Sequence, residues 1–490
     1  MLFNSYIFVL AFLPLTFAIY HLCRAAGADR GAIFSLVAAS LFFYGWWSLS
    51  GLALLLALMA ANFVGASWLA TSRKRHGRLR QIVLFGAIAA NLAVLAYFKY
   101  ANFFLENWAS LTSGPVSFVG VALPLGISFF TFQKIALMVD AYNGKVERLN
   151  ALDYTLFVSF FPQLIAGPIV HHAEVMPQFA SRRVVTSDDI ARGITIFSIG
   201  LAKKVLIADT VAQFASPVFD VATTGQAPSF GHAWIGALAY TLQLYFDFSG
   251  YSDMAIGAAL LFGVRLPVNF ASPYKATSII EFWRRWHITL SRFLRDYLYV
   301  PLGGNRHGST RQYLNLMVTM LLGGLWHGAG WTFVLWGALH GLYLGVNHGW
   351  RVLREVAGFT FPANAFHRVV AGLVTFVAIV VAWVIFRAPD LASARLILSA
   401  MAGLGGTSQP VSDAQDAALL IAALLAFVWL LPNTTELFGD TGNLSKPVVI
   451  RSFASLRWTP SPAWAVCCGA VLAVILMSLS RVTEFLYFQF

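Results

Sequence analysis

Four apolar stretches within the first 105 residues limit what this chain can fold into. Residues 2–22, 32–47, 52–70 and 81–105 are almost free of charge. A helix needs about 20 such residues to cross the hydrocarbon of a bilayer, and shorter runs can extend into interfacial residues. Further apolar runs follow at 156–170, 190–208, 331–346, 369–386, 417–431 and 464–479. Charged residues make up 11% of the 490, against roughly 25% in a soluble protein. The expected fold class is an all-α polytopic membrane protein, a single integral membrane domain over residues 1–490 with about 11–13 membrane segments.

The net charge of +12 would suggest nucleic acid in a soluble chain. Here the positive-inside rule accounts for much of it, and no soluble basic domain is visible. The basic run Arg73, Lys74, Arg75, Arg78, Arg80 is assigned to the cytoplasm, which puts the N-terminus outside. Cys23, Cys467 and Cys468 form neither a metal spacing nor a disulfide framework. The start lacks a basic n-region and an A-x-A site, so its apolar run is expected to stay as a helix.

Several segments are interrupted. Leu123-Pro124-Leu125-Gly126-Ile127-Ser128 breaks the run over 116–139, and Pro162, Gly167 and Pro168 break that over 156–170. Non-helical backbone at membrane depth is tolerated only inside protein or beside a water cavity, so an enclosed cavity is expected. His171-His172-Ala173-Glu174 is weak as a metal site, because adjacent histidines on one helix point roughly 100° apart, and reads instead as an interfacial loop. Ser187-Asp188-Asp189 reads as a helix cap, and one of Lys203 and Lys204 as snorkelling or meeting an anionic ligand. Asp247-Phe248-Ser249-Gly250-Tyr251-Ser252-Asp253 reads as a polar helix break, with no G-x-S-x-G elbow around Ser249.

The chemistry concentrates between Glu281 and Gly330. Residues 279–299 are amphipathic at helical period, with Phe282, Trp286, Leu290, Phe293 and Tyr297 on one stripe and Glu281, Arg285, Arg292 and Arg295 on the other. Pairs Glu281–Arg285 and Arg292–Asp296 stand at i,i+4. Such a helix is expected oblique or interfacial, not spanning. His287 falls on the flank of the apolar stripe. The turn Pro301-Leu302-Gly303-Gly304-Asn305-Arg306 lacks a Walker pattern. His327 lies among Gly323, Gly324, Gly328 and Gly330, small residues that let helices approach and leave room beside an imidazole. His340, thirteen residues on, is expected on another face.

Six stretches carry a resemblance to a known family. They are Tyr97-Phe98-Lys99-Tyr100-Ala101-Asn102, Pro124-Leu125-Gly126-Ile127-Ser128-Phe129 and Leu164-Ile165-Ala166-Gly167-Pro168, then the run Gln243–Met254, Glu281-Phe282-Trp283-Arg284-Arg285-Trp286-His287, and Leu322-Gly323-Gly324-Leu325-Trp326-His327-Gly328-Ala329. The chain resembles the membrane-bound O-acyltransferase (MBOAT) family, in its bacterial alginate O-acetyltransferase (AlgI-type) branch. The match covers about residues 1–350; Trp383-Val384-Ile385-Phe386-Arg387-Ala388 extends it, and the C-terminal helices over 366–490 match loosely.

The resemblance implies tilted helices around a central tunnel in the bacterial inner membrane. It places the catalytic histidine at His327 and a second at His287. It implies a cytoplasmic acetyl donor, acetyl-CoA, with no bound cofactor and no metal. The acceptor chemistry would finish on an extracytoplasmic polysaccharide such as alginate, with periplasmic acetyltransferase or glycan-presenting proteins as partners beside the membrane lipids. Candidate substrate-binding residues are Trp283, Trp326, Asp247, Ser249, Arg285 and Asn305. Acylation of another envelope glycan, or a transporter or scaffold role in glycan export, are the alternatives.

Moving an acetyl group from a thioester to a hydroxyl needs a base at the attacking oxygen, and the imidazole pKa suits that near neutral pH. The tetrahedral intermediate needs hydrogen-bond donors; Trp283, Trp326 and His287 are candidates. A covalent acyl-histidine is a further route.

Overall fold

The computed structural model describes residues 1–72, 77–114, 118–120, 122–180, 184–358, 364–406, 414–439, 456–479 and 485–486. Within the basic run expected in the cytoplasm, Arg73, Lys74 and Arg75 lie outside them. No strand occurs among the described residues. Among the described residues, four helices are long and apolar enough to cross a membrane: Phe8–Ala25, Leu49–Thr71, Arg78–Thr112 and Ala365–Arg387, with shorter apolar helices at Leu391–Leu404, Ala414–Leu430 and Pro462–Ser478. The protein is an all-α, multi-pass membrane protein. Its contacts divide into two compact units, residues 1–198 with 251–267, and residues 199–250 with 268–490.

The first unit holds α1 (Leu13–Ala25), α2 (Asp29–Gly45), α3 (Leu49–Thr71), α4 (Arg78–Thr112), α5 (Ile127–Tyr142), α6 (Ala151–Ser159), α7 (His172–Ala180) and most of α8 (Ser187–Ala202). The spans lie close to where the apolar runs put them. Helix α4 overruns its expected end: its 35 residues make roughly 52 Å, beyond the ~30 Å hydrocarbon layer. Its Asn102 clamps the following chain, accepting from Val119 N and donating to Val119 O. Arg80 is not a free loop cation. It is buried, donates to the carbonyls of Leu69 and Tyr142, and lies over the Tyr142 ring.

Both interrupted segments are broken as expected. Helix α5 starts only at Ile127, after Gly126 at φ +72°, and α6 ends at Ser159 before a run of turns. The two breaks pack against each other. A Cβ on Gly126 would lie 2.8 Å from the Leu164 carbonyl oxygen, so only glycine fits this approach. Two expectations here need correction. The cap of α8 is Thr186, whose N–H and hydroxyl donate to Asp189 while its Oγ1 accepts from Asp189 N–H. His171 and His172 are not a loop pair diverging on one helix: His171 precedes α7, His172 opens it, and both rings meet Asp140 of α5.

The second unit continues from α8 through a π-helical turn, Lys203–Ala208, into α9 (Asp209–Thr223) and part of α10 (Phe230–Leu260). Then come α11 (Ile279–Arg285), α12 (Ile288–Leu294), α13 (Gly308–His327), α14 (Trp331–Val356), α15 (Ala365–Arg387), α16 (Leu391–Ser399), α17 (Ala414–Leu430), α18 (Thr434–Phe438) and α19 (Pro462–Ser478). Helix α10 passes unbroken through residues 247–253, where a polar break was expected; Asp247 meets Lys204 and the Leu486 N–H without opening the backbone. Helices α13 and α14 form an antiparallel hairpin in backbone contact. A Cβ on Gly324 would lie 2.2 Å from the Phe333 carbonyl oxygen, and one on Gly337 2.4 Å from that of Met320.

Candidate active site

The expected single helix over residues 279–299 is instead two short helices and a π-helical turn, Arg295–Tyr299. Ser278 caps α11 by accepting from Glu281 N–H. The chain leaves helical geometry at Trp286 and His287, and His287 takes φ +42°, ψ +53°. A left-handed non-glycine residue costs on the order of 1–3 kcal/mol and persists only when its surroundings impose it. Residues 269–271 impose it here. Ala271 N–H bonds to Arg285 O, and Ile288 N–H to Asn269 O, so the segment occupies hydrogen-bonding groups a continuous helix would use.

Asn269 is the hub. Its Oδ1 accepts from Thr289 N–H at 3.2 Å and from the Thr289 hydroxyl at 2.9 Å. The same oxygen lies 3.1 Å from His287 Nδ1. The backbone donor identifies that atom as oxygen, so Nδ1 must carry the ring hydrogen and Nε2 the lone pair. His287 is fully buried, with its ring 4.7 Å from that of Phe248.

His327 is the last residue of α13, buried where the chain turns extended at Gly328. Three rings wall it: Trp326 at 4.9 Å, Trp336 at 5.1 Å and Phe386 at 5.3 Å between centroids. Trp326 also lies 6.2 Å from His287, joining the two histidines through one indole. The glycines around His327 do not all leave space. Gly324 is filled by the approach of α14, and a Cβ on Gly328 would overlap the Phe333 ring.

His340 was expected on a different face and is instead part of this cluster. The helical-wheel argument assumed one continuous helix, whereas the chain reverses at residues 328–330. His340 is fully buried, 4.6 Å from the Trp336 ring that also faces His327. Trp283 Nε1 donates to His340 Nδ1 at 3.3 Å, which leaves the His340 hydrogen on Nε2. The Trp283 indole is therefore engaged with His340.

The other candidates divide. Asp247 is buried in an ion pair: Lys204 Nζ lies 2.8 Å from it and 2.8 Å from Asp209, and Leu486 N–H donates to its second oxygen. Lys204 is thus held inside the protein rather than snorkelling. Ser249 follows on the same helix, buried. Arg285 is buried rather than on an outward charged stripe; it pairs with Glu281 as expected and donates to Ala271 O. Asp296 pairs with its neighbour Arg295. Asn305 is exposed in the turn before α13. Asn269 and His340 had no sequence signal pointing to the site: one asparagine in a loop and one histidine in an apolar helix are unremarkable alone.

A family model for the membrane-bound O-acyltransferase family matches residues 85–387. A peptidoglycan O-acetyltransferase from Helicobacter pylori is 45% identical over 83% of this chain and 81% of its own. A probable alginate O-acetylase, AlgI, from Pseudomonas putida is 40% identical over the whole of both chains. A teichoic acid D-alanyltransferase from Streptococcus thermophilus is 25% identical over 54% of this chain and 68% of its own. The Asn269 hub and all three histidines fall inside the matched region.

Proposed function

Because the chain belongs to the membrane-bound O-acyltransferase family, we propose that it passes acetyl groups from cytoplasmic acetyl-CoA to hydroxyls of an extracytoplasmic polysaccharide, with His327 as the general base. The carrying observation is the burial of His327 at the end of α13, inside a box of Trp326, Trp336 and Phe386. Ring walls exclude water, and a base in a dry site is not levelled by solvent. In the proposed step the acceptor hydroxyl loses its proton to His327 as its oxygen bonds to the thioester carbonyl carbon. The carbon–sulfur bond then breaks, and the proton passes from His327 to the departing thiolate. His287, with its lone pair on Nε2, orients the acceptor hydroxyl by accepting a hydrogen bond before the proton moves to His327. Trp326, between the two rings, orients both.

The proposed setting is the bacterial inner membrane, with periplasmic proteins presenting the glycan or carrying the acetyl group onward. Alginate is the favoured acceptor, from relatives that match over their full length. Peptidoglycan is the second reading, favoured by the 45% identity to a peptidoglycan O-acetyltransferase. Comparing acetyl content of the envelope glycans in a deletion strain decides between them: the glycan that loses acetyl is the acceptor. Loss from neither, with protein-containing vesicles releasing no CoA thiol from acetyl-CoA, would overturn the assignment.

A further inference from the structure

We propose that Asp140, His171 and His172 form a binding site for a divalent cation of the zinc class, tying α5 to the start of α7. Asp140 comes from α5 and the two histidines from the start of α7, either side of the interrupted segment over residues 156–170, and their ligand atoms all lie within 4.8 Å of one another. Both imidazole Nε2 atoms converge on one carboxylate oxygen, Asp140 Oδ2, at 2.7 Å for His171 and 3.4 Å for His172. Zinc bonds to nitrogen and oxygen are about 2.0–2.2 Å, which puts ligand atoms roughly 3.3–3.5 Å apart around a tetrahedral ion. The His172 separation already matches, and the His171 contact needs to open by less than about 1 Å.

A second observation points to a ligand. His172 is more than nine-tenths buried, and its Nε2 makes no hydrogen bond in the structure although it is aimed at this cluster. An imidazole nitrogen without a partner in the interior is costly unless something fills the gap. Two imidazoles and a carboxylate are three protein ligands that leave a fourth position open, a set suited to zinc or to non-haem iron(II).

Two features oppose the ion, and both can give way. Lys145 Nζ lies 2.9 Å from Asp140 Oδ1, but its side chain is 62% exposed and can turn to water. His171 Nδ1 accepts from Ala173 N–H at 3.2 Å. Coordination through Nε2 moves the ring hydrogen to Nδ1 and releases that donor, which belongs to the first turn of α7 and can bond to water.

The experiment measures zinc in the full-length, detergent-purified protein carrying no polyhistidine tag, then titrates metal-free protein with Zn²⁺ and Co²⁺. The wild type should hold about one equivalent. His172→Ala should bind Zn²⁺ on the order of 10²-fold more weakly, and Asp140→Asn, which keeps hydrogen-bonding capacity and so serves where the alanine variant fails to fold, should lose a similar amount. Lys145→Ala removes the competing cation and should bind as tightly as wild type or more so. Zinc binding absent from the wild type, equal in Asp140→Asn, or weakened tenfold by Lys145→Ala would overturn the site. The readout is metal content and affinity, so it stands apart from acetyl transfer.

Discussion

His287 and His327 are held by opposite means. His287 sits on strained backbone inside a net of hydrogen bonds centred on Asn269. His327 closes an ordinary helix and is positioned by glycine-mediated backbone packing and three aromatic rings. A hydrogen-bond net fixes which nitrogen carries the proton and where the lone pair points. An aromatic box fixes the position of a ring by packing against it from several sides. The first arrangement suits a group that orients, the second a group whose protonation must change during turnover.

That contrast breaks first if His327→Ala keeps activity. The expected loss of acetyl transfer is roughly 10²–10⁴-fold, the range of general acid–base help, with insertion and detergent stability retained. Gly324→Ala tests the packing side of the comparison. Its methyl would collide with the Phe333 carbonyl, and because the neighbour is backbone, overpacking should cost about 1–3 kcal/mol or more. The thermal midpoint should fall, with activity lost through displacement of His327; an unchanged midpoint would mean the hairpin is looser than described.

Asn269→Ala tests the other side. It strips a buried acceptor from three donors, each costing about 1–3 kcal/mol when left unsatisfied. Stability and transfer should both drop, the latter at least as far as in His287→Ala, because the ring loses its orientation. His287→Ala falling far below Asn269→Ala would mean that the hub is dispensable. The smallest effect is expected from Trp283→Phe, which frees His340 Nδ1 but keeps the ring packing. A loss under about tenfold fits a residue acting through His340, and a loss matching His327→Ala would put Trp283 in the chemistry.

Much of the fold was legible because its signals are local. A run of apolar residues specifies a span by itself, so the expected stretch over 52–70 became Leu49–Thr71, and Pro124-Leu125-Gly126 broke its helix where expected. The site was legible only in part. The amphipathic stripe over 279–299 continues across the bend, because one left-handed residue does not disturb the pattern. The bend is dictated by Asn269 and Ala271, whose sequence neighbourhood carries no sign of it. His340 was misplaced for a similar reason: a wheel drawn through Gly328 and Gly330 assumes the helix those glycines end. Asp247 carried a plausible substrate-contact signal, but its Lys204 partner lies 43 positions away, a pairing no local pattern reveals. Removing Lys204 would strand the buried Asp247 charge at a cost of about 3–5 kcal/mol, whereas Lys204 keeps Asp209 if Asp247 is removed.

The central claim is that His327 supplies a base and not merely a hydrogen bond. The direct measurement is acetyl transfer from labelled acetyl-CoA by His327→Gln and wild type, in the same vesicles at matched levels of inserted protein. Glutamine keeps hydrogen-bonding capacity and much of the volume but takes up no proton near neutral pH. A loss of about 10²-fold or more is expected, with folding unchanged. Transfer within a few-fold of wild type would contradict it and return His327 to a packing role at the end of α13.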